Sequence, residues 1–403
     1  MHNDKDDIED TEIKDDNSEA ETENGYRFEV SSYGWDVDVE GLVKRLNRED
    51  IYVPGFQRGF VWSNAEKSRF IESLILGLPV PTIFLAKDSE TSKLNIIDGQ
   101  QRLKTLQSYL NGEFSLSGVD IPQDLKNKYH SKRRDIYNKK AKIIDQSDER
   151  TLSDAVIHAV VIKPNPKHDD KELGKEYNAA IIQIFKRLNT SGKALTAQEV
   201  RASIFHGNLL TTIQNINDYE DWRALFGNVH SRMKDQEAIL RAIALYKNGS
   251  NYKASMPKFL DTFISDNRNI PQDECRNIEV IFKSSVSMIR ESLGDSALKT
   301  GGTFIITRFD ALVVSLMSIL GDKIYKDIQE ATDQAKEILG KQSIKEKLQN
   351  LHKDTRGLND KGEEISSLPD NQKGYLWSVD KFTNDTNRVS VRLRVSLEEF
   401  LKK

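Results

Sequence analysis

Hydrophobic and polar positions follow different periods in the two halves of this chain. Up to about residue 206, short apolar runs typical of strands are mixed with stretches of helical period. Val39 to Leu46 is predicted as a helix, Ile51 to Val53 as a strand, and Thr82–Ala86 with Lys93–Ile97 as a β-hairpin. Because these strands and helices do not alternate regularly, the pattern indicates an α+β domain over residues 26–206.

Polar residues mark where helices of this domain begin. Ser63 with Glu66, and Thr196 with Glu199, have the spacing of a capping box, in which each side chain satisfies a backbone N–H of the first turn. Val156 to Ile162 is predicted as a further strand. The lone histidine on that strand, His158, is interpreted as a satisfied core residue, since its neighbours are apolar.

Only helical periods are found from residue 207 to 353, which predicts an all-helical domain. Residues 354–374 are predicted to be a linker, and Arg388 to Val395 a short strand with an arginine face within a basic C-terminal segment, 354–403. Two apolar stripes define the predicted helical core, and their members are Ile278, Ile281, Phe282, Ser285, Met288 and Ile289 in one and Phe309, Leu312, Val313, Leu316, Met317 and Leu320 in the other.

Composition narrows the class of protein. The chain of 403 residues has 37% apolar and 30% charged residues, and no apolar run long enough to cross a membrane. A single cysteine, Cys275, excludes a disulfide framework and a cysteine-rich zinc site, so we expect a cytoplasmic protein without a membrane partner. Residues 1–24 hold 11 acids and 2 bases and are predicted to be a disordered acidic tail, either solubilising or a phosphate mimic.

The strongest chemical signal is the run Ile97-Asp98-Gly99-Gln100-Gln101-Arg102, in which an apolar strand ends and a helix begins. A glycine at such a turn lets the backbone approach a ligand, and the first N–H groups of the helix attract anions. Arg102 can clamp a phosphate through two hydrogen bonds, and Gln100 and Gln101 add neutral donors. The run therefore predicts a phosphate or nucleotide site. Asp98 either holds a water or a divalent cation beside the phosphates or caps the turn.

Two other segments allow a functional and a structural interpretation. In the loop around Phe56-Gln57-Arg58, the arginine either completes a phosphate clamp or pairs with a local acid. A basic segment either contacts nucleic-acid phosphates or is a solvated face, and the residues that would make those contacts are Lys132, Arg133, Arg134, Lys139 and Lys140. The chain has no P-loop, no H-E-x-x-H, no C-x-x-C and no G-x-S-x-G motif, and no histidine spacing that suggests a metal-dependent nuclease.

Four blocks together resemble the N-terminal component of GmrSD-type modification-dependent restriction enzymes, a family whose fold is similar to ParB and sulfiredoxin. They are Phe56-Gln57-Arg58 with Trp62; Leu76-Gly77-Leu78-Pro79-Val80-Pro81; Ile97-Asp98-Gly99-Gln100-Gln101-Arg102 with Thr105-Leu106; and Phe185 to Gly192 followed by Leu195-Thr196 and Glu199-Val200-Arg201.

The resemblance implies a ParB/sulfiredoxin-like fold for residues 26–206 and NTP binding and hydrolysis, with Mg²⁺, at Asp98 to Arg102. Asp98, Gln101 and Arg102 are the implied catalytic residues, and Gly99, Gln100 and Thr105 are implied nucleotide contacts. Gln57 and Arg58 would close the site from the opposite loop.

We therefore expect an NTP-binding sensor or regulatory subunit of a bacterial restriction or anti-phage system. Its expected partners are DNA, modified or not, and a separate nuclease subunit, because relatives cut DNA with a histidine-containing domain that this chain lacks. Self-association into a homo-oligomer stays open. The alternatives are a non-catalytic DNA-binding adaptor and a ParB-like nuclease acting through the first domain.

Overall fold

The computed structural model describes residues 12–14, 30–52, 62–88, 91–131, 142–164, 171–188, 195–321, 323–340, 343–359, 361–380 and 383–402, without the side chains of 13–14, 171–176, 186 and 380. The chain forms two compact units. Residues 25–204 are called the N-terminal unit, and residues 205–403 together with 1–24 are called the helical unit. The division lies close to the boundary at residues 206 and 207 expected from the change of hydrophobic period.

The strands and helices are numbered along the chain. The strands are β1 Ile13–Lys14, β2 Val30–Asp38, β3 Ile51–Tyr52, β4 Ile83–Lys87, β5 Leu94–Asp98, β6 Lys128–Tyr129, β7 Lys142–Ile143, β8 Val156–Pro164, β9 Lys299–Thr300 and β10 Thr303–Ile305. The helices are α1 Val39–Asn47, α2 Asn64–Ile75, α3 Gln100–Leu110, α4 Gln146–Asp154, α5 Lys171–Leu188, α6 Ala197–Ile204, α7 Asn208–Asn217, α8 Glu220–Phe226, α9 Lys234–Asn248, α10 Met256–Asn267, α11 Gln272–Leu293, α12 Ile306–Phe309, α13 Ser315–Leu320, α14 Ile328–Leu339, α15 Ile344–Leu351, α16 Tyr375–Asp380 and α17 Thr386–Leu401.

A mixed five-stranded sheet organises the N-terminal unit, with strand order β2-β8-β4-β5-β3. Strands β4 and β5 form the predicted antiparallel hairpin, and β8 lies parallel to β4 and antiparallel to β2. The prediction of mixed α and β structure for this unit is confirmed.

The two faces of this sheet are covered differently. One face packs on α1, α2, α3 and α4, and its core includes Leu42, Ile71, Leu85, Ile96 and Leu106. On the other face, the Asn95 amide donates to the carbonyl of Ile204 in α6, and Tyr177 of α5 donates to the carbonyls of Lys87 and Ile162. Helices α5 and α6 therefore cover the part of this second face around Asn95 and Ile162.

Both predicted capping boxes are present. The Ser63 hydroxyl accepts from the Glu66 N–H while the Glu66 carboxylate accepts from the Ser63 N–H, which starts α2. Thr196 and Glu199 exchange the same two bonds at the start of α6. Each pair satisfies backbone donors that a helix leaves unmade at its N-terminus.

The helical unit has the two predicted apolar stripes at its centre. All twelve residues of the stripes are buried, the first on α11 and the second on α12, α13 and the π-helical turn Asp310–Val314 between them. The unit also contains a three-stranded sheet, β1-β10-β9, that the hydrophobic pattern did not predict. Strand β1 comes from the segment expected to be a disordered tail, and it pairs with Phe304 and Ile305.

The prediction of a strand over Arg388–Val395 is wrong, because this segment lies within α17. The buried residues of α17 follow a helical period, and two of them are the arginines that the prediction placed on a polar face, Arg388 and Arg392. Over these eight residues valine or leucine alternates with polar residues, and so short a pattern is compatible with a strand and with a helix. Only the burial of the arginines distinguishes the two. Residues 354–374, predicted to be a linker, are tied to this region, since Glu364 accepts from Lys373 and Arg388.

A buried carboxylate joins three segments of the helical unit. Asp310 is fully buried and accepts from Arg241 at 2.9 and 2.7 Å and from Arg392 at 2.9 Å. The Arg241 guanidinium also donates to Asn384, and Arg392 donates to the carbonyls of Ser378 and Thr383. Burial lowers the pKa of Arg392, and the charge of Asp310 opposes that shift.

Within the described part of the chain, no helix is both long and apolar enough to span a membrane.

Replacing Asp310 by asparagine is expected to destabilise the helical unit strongly. The substitution removes the carboxylate charge that the buried Arg241 and Arg392 share, and breaking a buried ion pair in this way typically costs about 3–5 kcal/mol. Urea denaturation followed by circular dichroism measures the loss. Glu291→Gln is the control, because the ion pair of Glu291 with Lys336 is exposed and is worth at most about 1 kcal/mol. Equal effects of the two substitutions would contradict the structural role of Asp310.

Candidate functional site

The turn between β5 and α3 has a glycine at its centre for a steric reason. Gly99 is the N-cap of α3 and has φ +100°, in the left-handed region that residues with a Cβ avoid. A Cβ at this position would lie 2.5 Å from Cγ2 of Ile83. The identity of Gly99 therefore follows from the backbone of the turn and from its packing on β4, whether or not a ligand is bound.

The N-terminus of α3 has no side-chain cap. The first backbone bond at this end of the helix runs from the Leu103 N–H to the Gly99 carbonyl, at 2.9 Å. The preceding N–H groups lie in the first turn, where they have no intrahelical acceptor and where the positive end of the helix dipole lies. This is the arrangement that binds phosphates at many helix N-termini.

The side chain of Arg102 forms hydrogen bonds within the fold. Its side chain is only 10% exposed and donates to Oδ2 of Asp98 at 2.8 Å. The other terminal nitrogen donates to the carbonyls of Pro81 and Thr82, in the segment before β4. The bidentate phosphate clamp predicted for Arg102 is thus not the arrangement in this structure, because the guanidinium joins the turn to the neighbouring chain segment.

The Asp98–Arg102 pair changes the electrostatic argument made from the sequence. An arginine in the first turn of a helix opposes the helix dipole, and that conflict pointed to a bound anion. In the structure the carboxylate of Asp98 supplies the compensating negative charge. What remains to attract an anion is the positive end of the α3 dipole, together with the half-buried amides of Gln100 and Gln101.

A β-bulge controls the direction of Asp98. Ile96 pairs with Leu85, but the next pair is Asp98 with Phe84, so Ile97 is an extra residue in β5. Ile96 and Leu85 belong to the core face of the sheet. Without the extra residue, strict alternation would place Asp98 on that face as well, whereas the bulge places it on the second face with Phe84.

Gln101 connects the turn to Trp62, the last residue of the block that was predicted as a loop around Gln57 and Arg58. Its Oε1 accepts from the Trp62 N–H at 3.4 Å, and the Trp62 ring packs on Phe70. Gln57 and Arg58 themselves lie outside the described residues. The structure thus places Trp62 beside Gln101.

Among the predicted contacts that the structure describes, Thr105 alone is fully buried. Its hydroxyl donates to the Gln101 carbonyl at 2.7 Å, one turn back along α3. The hydroxyl stabilises the helix and is not available to a ligand at the turn in this structure. The five predicted DNA contacts, Lys132, Arg133, Arg134, Lys139 and Lys140, and the Asn189–Gly192 block of the resemblance lie outside the described residues.

The interpretation of His158 as a core residue is wrong. Its side chain is 63% exposed, and Nδ1 lies 2.6 Å from the carboxylate of Asp36 on the neighbouring strand. The histidine falls on the second face of the sheet, which α5 and α6 cover only in part. The sequence signal that was missed is the alternation along β8, in which Val156, His158 and Val160 are the more exposed positions and Ile157, Ala159 and Val161 the buried ones.

Comparison with known proteins supports the resemblance read from the motifs. Residues 39–206 match the family model described as GmrSD restriction endonuclease, N-terminal domain. No curated protein and no solved structure matches the chain. The match confirms the expected family for residues 39–206, the part of the chain that contains the Asp98 turn.

Gly99→Ala is expected to destabilise the N-terminal unit by about 1–3 kcal/mol, because alanine must adopt a left-handed backbone and its Cβ meets Ile83. Gly34→Ala is the matched control, since a Cβ there has no atom within 4 Å. That substitution should change stability by no more than about 0.5 kcal/mol. Chemical denaturation of both variants measures the difference, and a stable Gly99→Ala protein would refute the packing argument.

Proposed function

Because residues 39–206 match the GmrSD restriction endonuclease N-terminal domain, we propose that this unit has a ParB/sulfiredoxin-like fold and binds a nucleoside triphosphate at the Asp98 turn. The nucleotide would be bound with Mg²⁺ and hydrolysed, and its state would control engagement of DNA or of a nuclease subunit. The observation that supports this function best is the uncapped N-terminus of α3 behind the left-handed Gly99.

Backbone groups and amides would hold the phosphates in this proposal. The N–H groups of the first turn of α3 and the side chains of Gln100 and Gln101 are the donors, since neutral dipoles bind a polyphosphate without a further buried charge. Arg102 acts as a positioning residue through Asp98 in the arrangement described. Arg58, four residues before the Trp62 contact with Gln101, would close the site from the other side.

Asp98 is the residue that would coordinate the metal ion. Magnesium in phosphoryl-transfer sites is held by one or two carboxylates and by the phosphates themselves. Asp98 has the required carboxylate, its side chain is 38% exposed, and its hydrogen bond with Arg102 fixes its orientation. Mg²⁺ would supply charge neutralisation for hydrolysis.

Binding can be tested by thermal shift with each of the four NTPs and Mg²⁺. A nucleotide at a hundred times its dissociation constant should stabilise the protein by about 2.7 kcal/mol. Gln101→Ala should remove most of that shift. Gln107→Ala is the matched control on the same helix, because Gln107 bonds to Asn47 at the other end of α3 and should leave the shift unchanged.

The same measurement separates the alternative functions. If neither the wild-type protein nor Gln101→Ala is stabilised by any nucleotide while both bind DNA, the DNA-binding adaptor is the better account. Cleavage of plasmid DNA by the purified protein with Mg²⁺ or Mn²⁺ would instead indicate nuclease activity in the first unit.

Asp98→Asn should separate binding from hydrolysis. Asparagine keeps an oxygen for Arg102 but loses the charge that would hold the metal, so we expect phosphate release to fall at least about a hundredfold while nucleotide binding persists. Asp120→Asn is the control, since Asp120 is exposed and paired with Arg69. Phosphate release is measured with and without modified DNA, and an unchanged rate in Asp98→Asn would exclude a catalytic role for this carboxylate.

A further inference from the structure

We infer that the open part of the second sheet face, beside Asp98, is a platform for the base and sugar of the nucleotide. This inference rests on the proposed function, because it extends the phosphate site at the Asp98 turn to a nucleoside site. The platform is formed by Phe84, Val160 and Gly34, one residue from each of three neighbouring strands.

Strand register places these residues in one row with Asp98. Asp98 pairs with Phe84, Phe84 pairs with Val160, and Val160 pairs with Gly34. Residues paired across a sheet have their side chains on the same face. The row therefore runs from the proposed phosphate site across β4 and β8 to β2, a distance of about 14 Å at the usual strand spacing.

The residues of this row are partly exposed, whereas the neighbouring residues on the same face are covered. Phe84 and Val160 are only half-buried, and Gly34 is exposed with free space where a side chain would be. In contrast, Ile162 and Ala86 on the same face are buried beneath α5 and α6. The open area is thus bordered on one side by helices.

A polar pair borders the other side. His158 and Asp36, which are cross-strand partners, follow next along β8 and β2 from Val160 and Gly34 on the same face. Both side chains are more than 60% exposed and they contact each other at 2.6 Å. Their imidazole and carboxylate would be within reach of the hydroxyl groups of a sugar that lies on the row.

The side chains of the platform suit a nucleoside. A planar base gains from stacking on an aromatic ring and an aliphatic side chain, and a glycine in a strand permits close approach of a ligand to the backbone. A bare polyphosphate gains nothing from such an apolar floor. Because the row starts at Asp98, phosphates at the first turn of α3 and a base on Phe84 and Val160 can belong to one molecule.

The test compares nucleoside triphosphates with inorganic tripolyphosphate, both with Mg²⁺, by isothermal titration calorimetry. Wild-type protein should bind its preferred NTP more tightly than tripolyphosphate. In the Gly34→Trp variant the indole would cover the platform. This substitution should weaken NTP binding roughly fivefold or more and leave tripolyphosphate binding unchanged. Tyr33→Trp is the control, because Tyr33 is the neighbouring residue on the opposite face of β2 and is 46% exposed, and this variant should bind both ligands as wild type does. Thermal melting of the two variants checks that both are folded.

Three results would overturn the inference. If Gly34→Trp binds NTP and tripolyphosphate as wild type does, the phosphate site stands and the platform is wrong. If this substitution weakens both ligands equally, it acts on the phosphate site and the platform is again wrong. If wild-type protein binds neither ligand, the proposed function itself fails, and a loss of single-stranded DNA binding in Gly34→Trp would then assign the same face to DNA bases.

Discussion

The ion pair between Asp98 and Arg102 is the interaction on which the candidate site depends. It joins the end of β5, the first turn of α3 and the segment before β4, since Arg102 also donates to the carbonyls of Pro81 and Thr82. The pair neutralises its own charges at the end of the helix. An anion at this turn would therefore be attracted by backbone dipoles and amides, and the ion pair would hold those groups in place.

A second constraint is the extra residue in β5. With Ile97 inserted, Asp98 leaves the core face and joins the face on which Phe84 and Val160 lie half-buried. Bulges that redirect one side chain are common beside functional sites. The insertion and the ion pair act on the same residue, because the first selects the face of the sheet and the second fixes the carboxylate on it.

Much of the fold could be predicted because its signals are local. The β4–β5 hairpin, the capping boxes at Ser63 and Thr196 and the two apolar stripes of the helical unit each depend on residues within a few turns of one another. The errors arose where a distant partner decides the outcome. Arg388 and Arg392 are buried in α17 because Glu364 and Asp310 pair with them, and no pattern within α17 reveals those partners.

The candidate site divides in the same way. The position of the turn and of its glycine could be predicted from the run of residues 97–102. The hydrogen bonds of Arg102 could not, because their acceptors include carbonyls about twenty residues earlier in the chain. The bulge and the exposed His158–Asp36 pair depend on strand register, which the spacing of apolar residues does not determine.

The engagement of Arg102 has a consequence for the chemistry that the site can support. Phosphoryl transfer needs positive charge placed where negative charge develops, and a guanidinium often supplies it. Arg102 already neutralises Asp98, so in the described arrangement the turn is better suited to holding a polyphosphate than to accelerating its hydrolysis. Fast turnover would need a second cation, and under the proposed function Arg58 would supply it, since Trp62, four residues later, donates its N–H to Gln101 at the turn. Under the proposed function, a turn that holds a nucleotide by itself and hydrolyses it only when a second cation is supplied has the properties required of a sensor, because that supply can be coupled to DNA or to a partner subunit.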